Sequence, residues 1–322
     1  MLIDNYGRRF YYLRLSVTDA CNFRCSYCLP DGYSAGDDSL QLSSAEAATV
    51  VRAFASLGTQ KVRLTGGEPS LRSDLPEIIA ASKATPGIRR VAVTSNGYKL
   101  PRVVDGWHAA GLDQLNISID SLDPAEFAEL TGHDCLPRVL QGIARAQQLG
   151  IEVKVNAVLL QDGSRRRLRE FLSWIREMPV TVRFIELMRT GENKAYFASN
   201  HLRGQVIEHQ LLEDGWQLLP RARDAGPARE YRHPAYRGRI GLITPYGEDF
   251  CNSCNRLRIS AQGRLHLCLF ADHGIDLYRE ISRGDSRALA EKIQRAIGEK
   301  PLQHHLDQGQ VGAMRNLSQL GG

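Results

Sequence analysis

From residue 10 to about 186, short runs in which apolar and polar positions alternate are separated by stretches with the three-to-four-residue spacing of amphipathic helices. The alternation predicts strands near 11–17, 61–65, 90–95, 114–120, 152–158 and 180–186. Between them the helical spacing predicts helices near 43–57, 74–84, 101–110, 136–149 and 165–177. Ser43 followed by Glu46 reads as a capping box, and Gly58, Gly111 and Gly150 stand where helices should stop. Six βα-like units imply a parallel sheet, either a partial barrel or an open doubly wound sheet, and strand content alone leaves both open.

Parallel strands covered on both faces should read as near-continuous apolar runs, yet here every second position is polar. Leu13, Leu15 and Val17 alternate with Arg14, Ser16 and Thr18, and Val62 and Leu64 with Lys61, Arg63 and Thr65. Thr94 and Asn96, then Asn116, Ser118 and Asp120, then Lys154 and Asn156, and finally Thr181 and Arg183 likewise fall opposite apolar neighbours. If the apolar face packs on the helices, the other lines a cationic lumen holding Arg14, Lys61, Arg63, Lys154 and Arg183. Buried cations without matching carboxylates are costly, so the lumen calls for an anionic ligand. A solvated sheet face is the alternative.

The 322 residues accommodate one barrel plus an appendage, and the net charge of +5 suits an anionic small molecule and is too modest to argue for nucleic acid. The first residues lack the apolar region of a signal peptide, and no stretch approaches the roughly 18 apolar residues of a membrane span. With its thiols in open triplets, the chain is expected to be cytoplasmic, with no membrane and no nucleic-acid partner.

Those thiols carry the chemistry. Cys21-x-x-x-Cys25-x-x-Cys28 follows the first strand run, and three thiolates cannot fill four ligand positions of a tetrahedral metal or a cubane cluster, so one position stays open. A zinc knuckle lacking its fourth ligand is the bland alternative. Cys251-x-x-Cys254 and, after thirteen intervening residues, Cys268 form a second triplet. Alone, this set reads as zinc completed by His266 or His273; beside the first it reads as a second cluster. Cys135 is left over and reads as an incidental or buried thiol. Thr65-Gly66-Gly67-Glu68-Pro69 closes the second strand, where glycines admit positive φ or a close ligand. Arg165-Arg166-Arg167 reads as a solvated helix face.

After residue 186 the pattern loosens: 192–200 is loop-like, His201 to Asp214 a helix candidate, Arg221 to Arg229 a surface loop, and the run from Arg239 a further strand. Arg256 and Arg258 alternate onto one face beside the second triplet. We divide the chain into 1–238 and 239–322, the latter a cap on the open side of the sheet.

Cys21, Cys25 and Cys28, with Asn22, Phe23, Arg24 and Tyr27 between and around them and the Gly66-Gly67 turn, resemble the radical S-adenosylmethionine family. Within it, the second triplet, Asn255-Arg256-Leu257-Arg258, Leu267-Cys268-Leu269-Phe270 and the terminal Gly321-Gly322 resemble the branch that cyclises GTP in molybdenum cofactor biosynthesis, over about Phe10 to Gly322. The resemblance implies an α/β fold: a partial TIM-type βα barrel of about six units with a C-terminal α+β cap carrying a second iron–sulfur cluster. It implies two [4Fe–4S] clusters, one on Cys21, Cys25 and Cys28 that binds S-adenosyl-L-methionine, and one on Cys251, Cys254 and Cys268 that meets the guanine. Tyr27, Gly67, Ser118 and Met188 would surround S-adenosylmethionine. Arg14, Arg63, Thr94, Lys154, Arg256 and Arg258 would contact GTP, with Lys61 and Arg183 as additions, and Arg14, Gly321 and Gly322 would serve catalysis. The resemblance also implies an electron donor such as a flavodoxin and product hand-off to a pyranopterin monophosphate synthase, with a homodimer left open.

Overall fold

The structure, a computed structural model, describes residues 1–34, 41–222 and 225–320. The expected alternation is present throughout the first half: β1 (Tyr12–Thr18), α1 (Ser44–Ser56), β2 (Lys61–Gly66), α2 (Leu75–Ala84), β3 (Arg90–Ser95), α3 (Leu100–Ala109) and β4 (Gln114–Ser118). It continues with α4 (Pro124–Thr131), α5 (Leu136–Gln148), β5 (Glu152–Leu159), α6 (Ser164–Glu177) and β6 (Thr181–Glu186). Ser43 and Glu46 form the predicted capping box at the start of α1. Helix α4 is an addition to the predicted set. Its signal was legible: Asp123 accepts the Glu126 N–H at the N-cap, Pro124 opens the helix and Gly132 closes it at φ +76°.

The second half contributes α7 (Lys194–Asn200), a helix where the sequence reads as loop-like, then α8 (Gln205–Glu213), β7 (Gln217–Leu218), β8 (Arg229–Arg232), β9 (Arg239–Ile243), β10 (Arg256–Ile259), β11 (Arg264–His266), β12 (Ile275–Asp276), α9 (Tyr278–Ser282) and α10 (Ser286–Ala296). The strands form one mixed sheet in the order β12-β11-β10-β1-β2-β3-β4-β5-β6-β9-β8-β7. β9 pairs in parallel with β6, and β10 in parallel with β1, so the C-terminal segment extends the parallel run at both edges. The division at 238/239 is therefore one of sequence and not of sheet. Its physical reason is pattern: Ile240 and Leu242, like Leu257 and Ile259, repeat the period-two alternation of the earlier strands and are equally buried.

The apolar side of the sheet packs on the helices. Leu13, Leu64, Val93, Leu115, Ile117 and Val155 are completely buried against Val50, Phe54, Ile79, Trp107, Ile143 and Phe171, each such side chain contributing roughly 1.5–3 kcal/mol of transfer free energy. The opposite side is buried as well. Arg14 is only 7 % exposed, Arg63 6 % and Arg183 3 %, which excludes the solvated sheet face. Cys135 lies in the apolar core, just before α5. Among the described residues no helix is long and apolar enough to cross a membrane.

Candidate active site

Register brings the cations together. In the β1–β2 pairing Arg14 lies beside Arg63, and in the β1–β10 pairing it lies beside Arg258, so three guanidinium groups come from adjacent strands at one level. Neutral amides, not carboxylates, receive most of the polar-face cations: Lys61 donates to Gln114 Oε1 at 2.8 Å, and Arg63 and Arg183 both donate to Asn116 Oδ1, at 3.2 and 2.5 Å. The Nε atoms of Arg63, Arg183, Arg256 and Arg258 have no hydrogen-bond partner among the described residues. Burial and crowding pull Arg183 down to about 9 and Lys61 to about 8. A buried wall with this much uncompensated positive charge fits an anion.

Tyr12 belongs to this wall and was missed by the sequence reading. Its ring lies under Lys61 and Arg63, at 5.3 and 5.4 Å, and its hydroxyl has no hydrogen-bond partner among the described residues. Burial pushes its pKa up, but Arg63, Lys61, Arg14 and Arg183 outweigh it and bring the phenol down to about 8. The signal was the period-two series itself, which continues from Arg14 one step back to Tyr12.

The first triplet rims a cavity whose wall includes Tyr27, Gly67, Thr94, Ser118 and Met188, all five expected beside bound ligands. The loop carrying it is pinned locally: Asn96 Nδ2 donates to Asn22 Oδ1, His133 Nε2 lies 2.7 Å from the Asn22 carbonyl, and the Phe23 ring stacks on His133. Gly66 and Gly67 serve this loop too. A Cβ on either would stand 2.1 Å from the Thr18 carbonyl oxygen or 2.2 Å from that of Ala20, so the turn seats directly on the start of the cysteine loop. Buried Glu68 completes the joint by accepting from Ser95 Oγ and the backbone N–H groups of Ser70 and Asn96. Asp120, which the alternation put on the polar face without a site role, accepts the Tyr27 hydroxyl at 2.8 Å and the Val158 N–H at 2.7 Å. These thiols sit in poorly solvated surroundings, and burial pushes Cys21 up to about 11 and Cys28 up to about 12.

The second triplet rims an adjoining cavity together with Arg14, Arg63, Arg256 and Arg258. Asn156, Ile185 and Met188 line both cavities and form the partition between them. The Asn156 Oδ1 atom has no partner among the described residues. Here burial raises Cys254, but Arg256, 3.9 Å from its sulfur, and Lys300 outweigh it and bring the thiol down to about 6. Lys300, also missed, is buried and donates to the Leu267 carbonyl; Arg8 ties the N-terminus to the triplet through the Cys251 carbonyl at 3.2 Å. His266 lines a different cavity, with Ser260 and Gln262, and so stands apart as a fourth ligand. Among the described residues no three His, Cys, Asp or Glu side chains converge on a single-ion site.

Two expectations are corrected. Lys154 does have carboxylate partners, Glu230 at 2.6 Å and Glu152 at 3.4 Å, because β8 brings Glu230 over the end of β5; it lines a basin with Lys61, Arg63 and Arg183 that none of the six triplet cysteines lines and that shares Arg63 and Arg183 with the second cavity. Arg167 is not on a solvated face: it is buried and donates to the carbonyls of Leu160 and Asp162, while Arg166 pairs with Glu126 and Glu170. Gly321 and Gly322 lie outside the described residues. The residues before them reach the first cavity, where Leu317 and Ser318 form part of the wall.

Two family profiles match the chain, the radical SAM superfamily over residues 15–175 and Molybdenum Cofactor Synthesis C over residues 180–306. A GTP 3′,8-cyclase of Stenotrophomonas maltophilia (strain R551-3) is 54 % identical, covering 100 % of this chain and 99 % of the relative. One from Yersinia pestis is 52 % identical with the same coverage. Among solved structures, Streptococcus suis SuiB bound to S-adenosylmethionine superposes with a TM-score of 0.64 over 89 % of this chain and 68 % of that one, at 12 % identity, a likeness of fold.

Proposed function

Since the chain belongs to the GTP 3′,8-cyclase family of radical S-adenosylmethionine enzymes, we propose that its two cysteine triplets hold two [4Fe–4S] clusters, with GTP bound between them against the cationic wall. The protein is a radical S-adenosylmethionine cyclase acting on GTP in molybdenum cofactor biosynthesis, and it uses S-adenosylmethionine and iron–sulfur chemistry. Bound together, cluster and S-adenosylmethionine supply the one-electron chemistry that starts closure of the ribose 3′ carbon onto the guanine 8-carbon.

The protein's part is binding and orientation. Cys21, Cys25 and Cys28 would hold the first cluster, and Cys251, Cys254 and Cys268 the second. Tyr27, Gly67, Ser118 and Met188 would enclose S-adenosylmethionine, with Asp120 holding the Tyr27 hydroxyl in place. Arg14, Arg63, Arg256 and Arg258 would bind the triphosphate as bidentate donors, with Thr94, Lys61 and Arg183 beside them. Lys154 would join after exchanging Glu230 for phosphate. Fixed guanidinium groups hold the ribose in register with the radical source without reorganising during the reaction. Arg14 and the terminal Gly321 and Gly322 would serve the catalytic step. The surrounding fold reads as a partial βα barrel whose lumen is the cationic wall. Electrons from a donor such as a flavodoxin, transfer of the product to a pyranopterin monophosphate synthase and a cytoplasmic setting complete the proposal.

The observation that carries it is the partition of Asn156, Ile185 and Met188, which has one triplet on each side, with Arg14, Arg63, Arg183, Arg256 and Arg258 among the residues lining the second cavity. Anaerobic reconstitution with iron, sulfide, S-adenosylmethionine, dithionite and GTP tests it. Two clusters and cyclised product are expected; stoichiometric zinc at the second triplet in active enzyme would overturn the two-cluster reading.

A further inference from the structure

The segment 313–320 runs across the loops of both triplets. Ala313 N–H donates to the Ala271 carbonyl, three residues past Cys268, at 3.1 Å. The Met314 and Arg315 carbonyls then accept from Gly191 and Glu192 at 3.1 Å each, on the loop that follows Met188. Gly312 makes the close approach possible, since a Cβ there would meet the Phe270 carbonyl oxygen at 2.4 Å. Met314, Leu317 and Leu320 are buried in one apolar cluster with Tyr27 and Met188, against which Cys25 and Cys28 pack. The strap therefore packs along the first cavity beside Cys28, and Leu317 and Ser318 line it. Their backbone N–H groups act on the Cys28 thiol as donors that oppose the upward push of burial.

We propose that this strap belongs to the outer shell of the first cluster, with the Leu317 and Ser318 N–H groups donating to the Cys28 thiolate and raising the cluster's reduction potential. The inference rests on the proposed occupancy of the first triplet. Its physics is general: a reduced cluster carries more negative charge on its sulfurs, N–H dipoles aimed at them favour that state, and an apolar sheath that excludes water strengthens the effect. It gives the residues before the terminal glycines a task separate from any contact with substrate.

The test compares Pro and Ala at both positions in the anaerobically loaded enzyme. Proline removes the N–H, whereas alanine keeps it and removes only the side chain. Midpoint potentials are read by electron paramagnetic resonance, the first cluster being the one whose signal changes when S-adenosylmethionine is added. Ser318→Pro and Leu317→Pro should each move that midpoint to more negative values at unchanged iron content, while Ser318→Ala and Leu317→Ala leave it near the wild-type value. The second cluster's midpoint should stay in place in all four. Should one proline variant fail to fold, the other decides. Proline and alanine variants with the same midpoint would overturn the strap's role while leaving the cluster assignment intact; a first triplet that takes up no iron would overturn both.

Discussion

The two cysteine triplets have the same ligand count and opposite surroundings. Around Cys21, Cys25 and Cys28 lie Tyr27, Met188, Leu317 and the carboxylate of Asp120, and burial holds the thiols high, Cys28 at about 12. Around Cys251, Cys254 and Cys268 lie Arg256, Arg258 and Lys300, and the cations bring Cys254 down to about 6. The difference shows how one fold separates two tasks. On the proposed reading, the more apolar chamber would serve the radical chemistry and the cationic chamber next door would bind the polyanion.

The largest effect should come from breaking one triplet at a time. Cys25→Ser should abolish S-adenosylmethionine cleavage and cyclisation together, whereas Cys254→Ser should spare cleavage and lose cyclised product, both read by chromatography of anaerobic reactions. Equal loss of cleavage in both would dissolve the division of labour. Deleting Gly321 and Gly322 should leave iron content intact and remove cyclisation.

Next in size is thiol reactivity in metal-free protein. Thiolate, not thiol, is alkylated, so at pH 7 Cys254 should react with iodoacetamide about 10²-fold or more faster than Cys28, even though a low-pKa thiolate is the weaker nucleophile. Its rate should fall as pH drops through about 6. Peptide mapping of the label measures this, and uniform labelling would contradict the electrostatic contrast.

Removing one cation from the second chamber should matter only there. Arg63→Ala or Arg256→Ala should weaken GTP binding by about 1.5–3 kcal/mol, the range of a charge-assisted hydrogen bond, with S-adenosylmethionine affinity unchanged. Calorimetry with each ligand separates this from a general folding defect.

A subtler probe is Tyr12, whose phenol should titrate near 8 in ligand-free protein, visible as tyrosinate absorbance that Tyr12→Phe removes. GTP should move that transition upward by neutralising the cations. The sign of the linked stability follows. The native phenol loses its proton near 8 and an unfolded one near 10, so the unfolded chain binds more protons between them and stability rises with pH across that window. The contribution is complete above about 10 and lost as pH falls through about 8. The smallest effect is expected from Glu230→Gln, which frees Lys154 and should tighten GTP binding several-fold, about 1 kcal/mol, if phosphate and carboxylate compete for the same ammonium group. Weaker binding in that variant would mean that Glu230 positions Lys154 for the ligand.

What the sequence by itself determined is local and periodic. Alternation with period two assigned Leu13 and Leu15 to the helix-covered side and Arg14, Lys61, Arg63 and Arg183 to the other, because neighbouring side chains of a strand must point to opposite faces. The cysteine spacings picked out both triplets: Cys21, Cys25 and Cys28 share one loop, and the β10–β11 hairpin carries Cys268 back to the cavity of Cys251 and Cys254. Only the tertiary structure decided what meets across the chain. Both edges of the six-strand run offered free hydrogen-bonding groups, and that β9 closes on β6 while β10 returns to β1, bringing Arg256 and Arg258 beside Arg14, depends on packing over the whole chain. The same holds for Glu230 on Lys154, for the Gly66-Gly67 turn seated on Thr18 and Ala20, and for the strap over Cys28. Each is a contact between segments far apart in sequence, chosen by burial and hydrogen-bond satisfaction across the folded molecule, and no period along the chain records it.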